Sequence, residues 1–323
     1  MKQRGFAKYA WGVLGYNILV ILWGAYVRAT GSGAGCGRHW PLCNGEVVPR
    51  APEIETIIEY VHRTSSAFAG VLVIILLVWA FRAYGKGHAV RKAAVFSLIF
   101  IITEGLVGAG LVLLEWVGDD DSVGRAVTMA LHLSNTFLLL GALGLTAWWA
   151  TTMDDDDYRA PLQLRGQGRR AWLLGVGLLL IMVVSAAGAV TALGDTLFPS
   201  ETLAEGVARD FSPTAHFLER LRVWHPLLAV LTALYLFTTL GLVQAQRGDE
   251  RTRRLVRLVQ LLLVAQLAAG AINLILLAPV FMQLLHLLLA DAVWLALVFL
   301  SASALETSPE PVAERQMQLS GAG

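Results

Sequence analysis

Eight runs of about 20 apolar residues make up more than half of this chain, and that length is what a helix needs to cross a bilayer. They lie at about 9–29, 57–80, 93–114, 126–149, 172–193, 221–243, 255–277 and 281–304. Of 323 residues, 56% are hydrophobic and 15% charged, against roughly a quarter charged in soluble domains. The expected fold is an all-α integral membrane protein with eight transmembrane helices. A net charge of +1 argues against a nucleic-acid partner. Two cysteines, Cys36 and Cys43, are too few for a cysteine-rich scaffold or an iron–sulfur protein. Met1 to Lys8 is short and basic and leads into a run of signal-anchor length. Gly33-Ala34-Gly35-Cys36 only faintly resembles a lipoprotein cleavage site, so the first run is expected to stay as a helix.

Lys and Arg placement sets the orientation. With the N-terminus inside, 17 of the 25 basic residues are cytoplasmic: Lys2, Arg4, Lys8, Arg82, Lys86, Arg91, Lys92, Arg159, Arg165, Arg169, Arg170, Arg247, Arg251, Arg253, Arg254, Arg257 and Arg315. Asp154 to Asp157 share an inner loop, where acids weigh little. Both termini are then cytoplasmic, in a plasma membrane. Tryptophans fit this frame, with Trp11, Trp79, Trp148, Trp149 and Trp172 near inner ends and Trp40, Trp116 and Trp224 near outer ones.

An ionisable residue inside such a run is costly to bury and marks a site by default. The second, fourth, sixth and eighth runs each carry one histidine near the start: His62, His132, His225 and His286. Each falls about four to seven residues in, roughly one to two turns below the outer surface. The odd runs carry none, so the four rings are expected in one layer. Of the remaining histidines, His39 and His88 lie in loops and His216 precedes the sixth run.

The layer repeats. Gly24-Ala25-Tyr26-Val27 answers Gly188-Ala189-Val190-Thr191, at an offset of 164 residues. Glu104 precedes Gly108 by four, as Gln266 precedes Gly270, and Leu131-His132-Leu133 answers Leu285-His286-Leu287. The expected organisation is two four-helix halves related by a pseudo-twofold along the membrane normal. These are residues 1–150 and 172–305, joined by a polar linker at 151–171 and followed by a polar tail at 306–323.

Histidines on facing helices of a bundle suit a cofactor in its core. Haem iron needs one axial imidazole from each of two helices, whereas zinc or copper would want more ligands than lie at this depth. The reading is one bis-histidine haem place per half, His62 with His132 and His225 with His286. Hydrogen bonding between helices is the plainer alternative for any one ring. Arg28, Arg63, Arg125, Arg220 and Arg222 lie at the outer ends, where guanidinium suits haem propionates; interfacial snorkelling serves any one of them equally.

The halves differ three residues before the first ligand of each, where one has Glu59 and the other Arg222. Glu59 could act as base or electrostatic partner at a porphyrin edge, or simply favour a helix start. The first half also owns the loop with Cys36 and Cys43. On an oxidising side these are expected to form a disulfide, either structural or a labile redox bond. Glu104 reads as hydrogen-bonded to a neighbouring helix or as a proton relay. Asn135 and Asp291 follow their histidines closely enough to support second ring nitrogens.

From about residue 20 to 305 the chain resembles the haem A synthase family. The likeness rests on Gly24-Ala25-Tyr26-Val27-Arg28-Ala29-Thr30-Gly31-Ser32-Gly33, Cys36-Gly37-Arg38-His39-Trp40-Pro41-Leu42-Cys43, Glu59-Tyr60-Val61-His62-Arg63, His132, His225-Pro226 and His286. The resemblance implies an oxidoreductase that converts the C8 methyl of haem O to a formyl group, giving haem A for terminal oxidases. It implies that His62 and His132 hold the substrate haem, beside Glu59 as the essential carboxylate. It further implies a haem b on His225 and His286, and Cys36 and Cys43 as the outer-loop pair. The haem O-producing enzyme and an unidentified electron acceptor are the expected partners, and a homo-oligomer is compatible. Relatives more often have Gln where this chain has Glu104. A quinol-fed diheme cytochrome and a haem carrier are the competing readings.

Overall fold

A computed structural model describes residues 2–153, 167–246 and 249–306. Most of the expected linker, including Asp154 to Asp157, Arg159 and Arg165, lies outside the described residues, as do Arg247, Arg315 and the tail from 307. The helices are α1 (Lys2–Ala29), α2 (Ile54–Ala83), α3 (Ala89–Leu113), α4 (Val123–Thr152), α5 (Gly168–Leu197), α6 (Leu203–Asp210), α7 (Phe217–Leu221), α8 (Trp224–Gln246), α9 (Glu250–Ile275) and α10 (Val280–Leu305). Among the described residues, eight helical stretches are long and apolar enough to cross a membrane, α7 and α8 counting as one. In hydrocarbon every backbone polar group needs an internal partner, which a helix supplies along its own length.

The expected sixth helix, 221–243, is interrupted. Pro226 has no N–H to return to the Arg222 carbonyl, so α7 ends at Leu221 and α8 begins at Trp224. Elsewhere the helices start earlier than hydropathy indicates, because polar opening turns such as Glu55-Thr56 continue the helix beyond its apolar stretch. His62 is thus the ninth residue of α2, His132 the tenth of α4 and His286 the seventh of α10. At 1.5 Å per residue they lie about 9–14 Å below their helix starts, deeper than the sequence predicts.

α1 packs on α2 and α4, α2 on α3, and α3 on α4. The same succession of neighbours recurs among α5, α8, α9 and α10, while α1 and α4 also pack on α5 and α10. Small residues allow the central approach, as expected where lipid gives no hydrophobic drive. A Cβ at Gly144 of α4 would fall 2.8 Å from Leu295 of α10. Nearby, Trp294 stacks on Phe137 at 5.3 Å and donates from Nε1 to the Phe137 carbonyl at 2.6 Å. Lipid-facing positions such as Val71, Ile74 and Val78 stay exposed and apolar.

The loop after α1 lies against the start of α2. Gly35 is obligatory there, since a Cβ would sit 2.5 Å from the Glu55 backbone. Its carbonyl accepts from Thr56 Oγ1 at 2.8 Å. Cys36 and Cys43 form the expected disulfide.

Candidate functional site

Each of the four histidine rings lies against a glycine of a neighbouring helix. A Cβ on Gly24 of α1 would come within 2.7 Å of the His62 ring, one on Gly188 of α5 within 2.9 Å of His225, and one on Gly270 of α9 within 3.0 Å of His286. Gly108 of α3 faces His132 at a looser 3.8 Å. These glycines hold matched places in the repeat, so four bare backbone patches answer four imidazoles. The repeat identified these glycines as equivalent, but nothing in sequence said which histidine each would meet.

In the second set, the centres of the His225 and His286 rings are 6.2 Å apart with their planes at 89°. Two imidazoles bound to one metal ion through bonds of about 2 Å hold their ring centres at roughly that spacing. His225 directs Nδ1 to the Val184 carbonyl at 3.1 Å, which leaves Nε2 for a metal, the usual division of labour in a ligating histidine. Gln266 Nε2 lies 3.3 Å from His286 Nε2. The Nδ1 atoms of His62, His132 and His286 are buried without a hydrogen bond. The His225–His286 spacing, with glycine behind both rings, fits a haem held by two imidazoles, and the first set offers His62 and His132 against glycines at the matching places.

Glu104 supports His132. Its Oε1 lies 3.2 Å from His132 Nδ1, a charge contact off the line of a good hydrogen bond. Thr136 Oγ1 donates to the same oxygen, and Asn135 Nδ2 to Oε2 at 2.5 Å. Asn135 thus holds Glu104 rather than the ring itself. Asp291 is fully buried with both carboxylate oxygens unpartnered, and no contact joins it to His286.

Glu59, buried one turn before His62, accepts from Cys36 N at 2.8 Å through Oε2. Its Oε1 accepts from Arg63 Nε at 3.0 Å and Nη2 at 2.5 Å. Arg63 also donates to the Gly37, His39 and Leu42 carbonyls at 3.1, 3.0 and 2.6 Å. Glu59 and Arg63 together therefore fasten the disulfide loop to α2. Arg28 reaches from α1 to the Ala192 carbonyl at 2.7 Å, Thr196 Oγ1 at 2.8 Å and Gln283 Oε1 at 2.7 Å. Arg125 donates to the Gly118 and Asp120 carbonyls at 2.7 and 2.6 Å, and its Nε is buried without a partner. Arg222 donates to the Gly194 and Phe198 carbonyls at 2.9 and 2.7 Å and lies 3.3 Å from Asp195 and 3.7 Å from Asp210. Burial raises the Asp210 carboxyl, and the Arg222 charge opposes that rise. The other histidines stay outside the layer: His88 caps α3, and His216 caps α7 in a box with Glu219. His39 is in the exposed disulfide loop.

These features define a polytopic helical membrane protein with four histidines of its long apolar helices each set against a glycine of a neighbouring helix. The family described as Cytochrome oxidase assembly protein (COX15-CtaA) matches residues 7–298. A Geobacillus kaustophilus protein named "Heme A synthase" is 32% identical over 314 residues, 96% of this chain and 95% of that one. An Exiguobacterium sibiricum protein of the same name is 30% identical over 257 residues, 79% and 80% of the two chains. A Thermus thermophilus protein named "Protoheme IX farnesyltransferase" is 54% identical over 306 residues, 95% of this chain and 49% of that one. The chain thus spans about half the length of its Thermus relatives. It belongs to the haem A synthase family of cytochrome oxidase assembly proteins.

Proposed function

We propose that the protein oxidises the C8 methyl of haem O to a formyl group, giving haem A for terminal oxidases. The reading is supported by one observation: four imidazoles are each backed by glycine at matched repeat positions, and two of them, His225 and His286, have the ring spacing of a shared metal ion. Haem O is the substrate, held by His62 and His132. His225 and His286 would hold a haem b. Bound haem supplies an iron that takes and returns single electrons.

Converting the methyl and one water to an aldehyde releases four electrons and four protons, which pass to an acceptor and to bulk. The chain's own residues hold and orient. The glycines admit the rings close to the helix backbones, and Glu104 fixes the outer edge of His132. Glu59 takes up a proton leaving the methyl carbon or balances positive charge developing there. Arg28 and Arg125 are the propionate partners, with Arg125 keeping a buried Nε–H for that purpose. Arg63 and Arg222, also candidates in sequence, instead spend their N–H groups on Glu59 and the loop carbonyls and on α5, Asp195 and Asp210. The working units are residues 1–150 and 172–305. The histidine end faces outward from a plasma membrane and both termini are cytoplasmic. The Thermus relatives, named farnesyltransferases on chains twice as long as the matched stretch, support the haem O-producing enzyme as the partner that supplies substrate.

Co-expression of the full chain with a haem O source, followed by pigment extraction, tests the reading. New formyl haem supports it. Unaltered haem overturns it and leaves a diheme cytochrome or a haem carrier.

A further inference from the structure

Glu104 and Gln266 occupy corresponding places. Each comes from the helix before a ligand helix, and each sits four residues ahead of the glycine that faces the same ring. Each side chain touches that ring, though at different nitrogens: Glu104 Oε1 lies 3.2 Å from His132 Nδ1, and Gln266 Nε2 lies 3.3 Å from His286 Nε2, leaving His286 Nδ1 as the nitrogen open to a metal. One is a carboxylate and the other a neutral amide. Of the four rings, His132 alone has an anionic side chain in contact among the described residues, since His225 meets a backbone carbonyl and His62 Nδ1 has no hydrogen bond.

The groups around Glu104 are donors. Asn135 gives an N–H to Oε2 and Thr136 gives its O–H to Oε1, while Asn135 is itself braced by the Phe100 carbonyl at 2.9 Å and Thr103 at 2.7 Å. The pocket is built for an acceptor-only group, which an ionised carboxylate is and an amide is not.

We propose that Glu104 is a positioning residue that makes His132 a stronger axial donor than His286, and so gives the haem on His62 and His132 a lower reduction potential than its counterpart. A carboxylate at the outer nitrogen of a ligating imidazole raises its basicity. A more basic ligand favours ferric over ferrous iron and lowers the potential. Electrons leaving the first site then run downhill to the second. This rests on the ligand reading given under the proposed function.

The test is a spectroelectrochemical titration of the purified full-length protein with haem in both sites, as wild type, Glu104→Gln and Gln266→Glu. Loss of the carboxylate is expected to raise one potential by a tenfold change in ferric preference, about 59 mV for one electron, and to leave the other in place. Gln266→Glu is expected to lower the other by a similar amount. Low-spin spectra should persist in both variants. Unchanged potentials in Glu104→Gln overturn the proposal. If that variant loses haem, Gln266→Glu decides alone, and an unmoved potential there overturns it as well. His132→Ala separates the two levels of inference. If both low-spin spectra survive in it, the ligand reading falls and the proposal with it; if one is lost, the ligand reading stands and the titration judges Glu104.

Discussion

Glu59 and Arg222 stand three residues before the first ligand histidine of their respective sets of helices, and their charges are opposite. Their mechanical roles are nevertheless alike. Each is buried, and each ties its ligand helix to the chain leaving the preceding first helix of the set, α1 or α5. After α1 the chain turns with the Cys36 N–H facing α2, so the tie must be an acceptor. At the end of α5 the groups within reach are the Gly194 and Phe198 carbonyls, the first of which also accepts the Phe198 N–H at 2.9 Å, so the tie must be a donor. The sign of each charge thus follows from the backbone it meets. The asymmetry has a structural cause, and experiments on Glu59 must separate fastening from chemistry.

The largest expected effect comes from the rings. His62→Ala or His132→Ala should remove one low-spin haem, about half the Soret absorbance per protein, and His225→Ala or His286→Ala the other. Spectra of the purified variants check this. A single substitution that empties both sites would show that the two sets do not bind independently.

Next comes the pair of ties. Glu59→Gln keeps an acceptor for Cys36 and should retain both haems, while formyl haem output falls by about 10²–10⁴. Unchanged output in extracted pigment would remove Glu59 from the chemistry. Arg222→Gln should instead cost about 2–3 kcal/mol in stability, because Asp195 and Asp210 lose their cation, and output should fall only with the folded fraction. The deficit has a pH signature. With Arg222 gone, burial holds the folded Asp210 carboxyl further above its usual 3.8. Stability then declines as pH rises from that value through the folded pKa, so the variant should approach wild type on acidification. Detergent-solubilised thermal unfolding across pH measures this.

The glycines give a smaller, graded effect. Gly24→Ala and Gly188→Ala push on an imidazole from 2.7 and 2.9 Å, and haem affinity at the matching site should drop about tenfold. Gly108→Ala meets His132 at 3.8 Å and should leave haem binding unchanged. No loss at Gly24→Ala and Gly188→Ala would mean that the rings move freely and the backing is incidental.

The eight spans and the equivalence of the four glycines are legible in the sequence because hydropathy and a repeat offset need no knowledge of neighbours. The contacts are not. Nothing in the spacing of Gly24 and His62 says that one faces the other across two helices. Arg63 reads as a free outer cation until the loop carbonyls of Gly37, His39 and Leu42 close on it. The break before Trp224 was within reach, since Pro226 stands in the segment predicted as one helix. Asp291, spaced in sequence to support His286, is instead fully buried with no hydrogen bond among the described residues.

The disulfide belongs to one set only, and it provides the mildest test of whether that set does chemistry. The loop closed by Cys36 and Cys43 is short, with a sequence separation of seven, so its removal should relax the unfolded chain by roughly 2–3 kcal/mol. Most of the loop's order should survive, because Glu59 still holds Cys36 N and Arg63 still holds three carbonyls. In a Cys36→Ser, Cys43→Ser double variant, haem should therefore remain in both sites, and formyl haem output should fall by no more than a few-fold. Pigment extraction beside a haem count per protein reads both quantities. Output abolished with both haems in place would assign the disulfide a redox role in the reaction, whereas output that tracks haem content makes it a brace for the loop that Glu59 fastens.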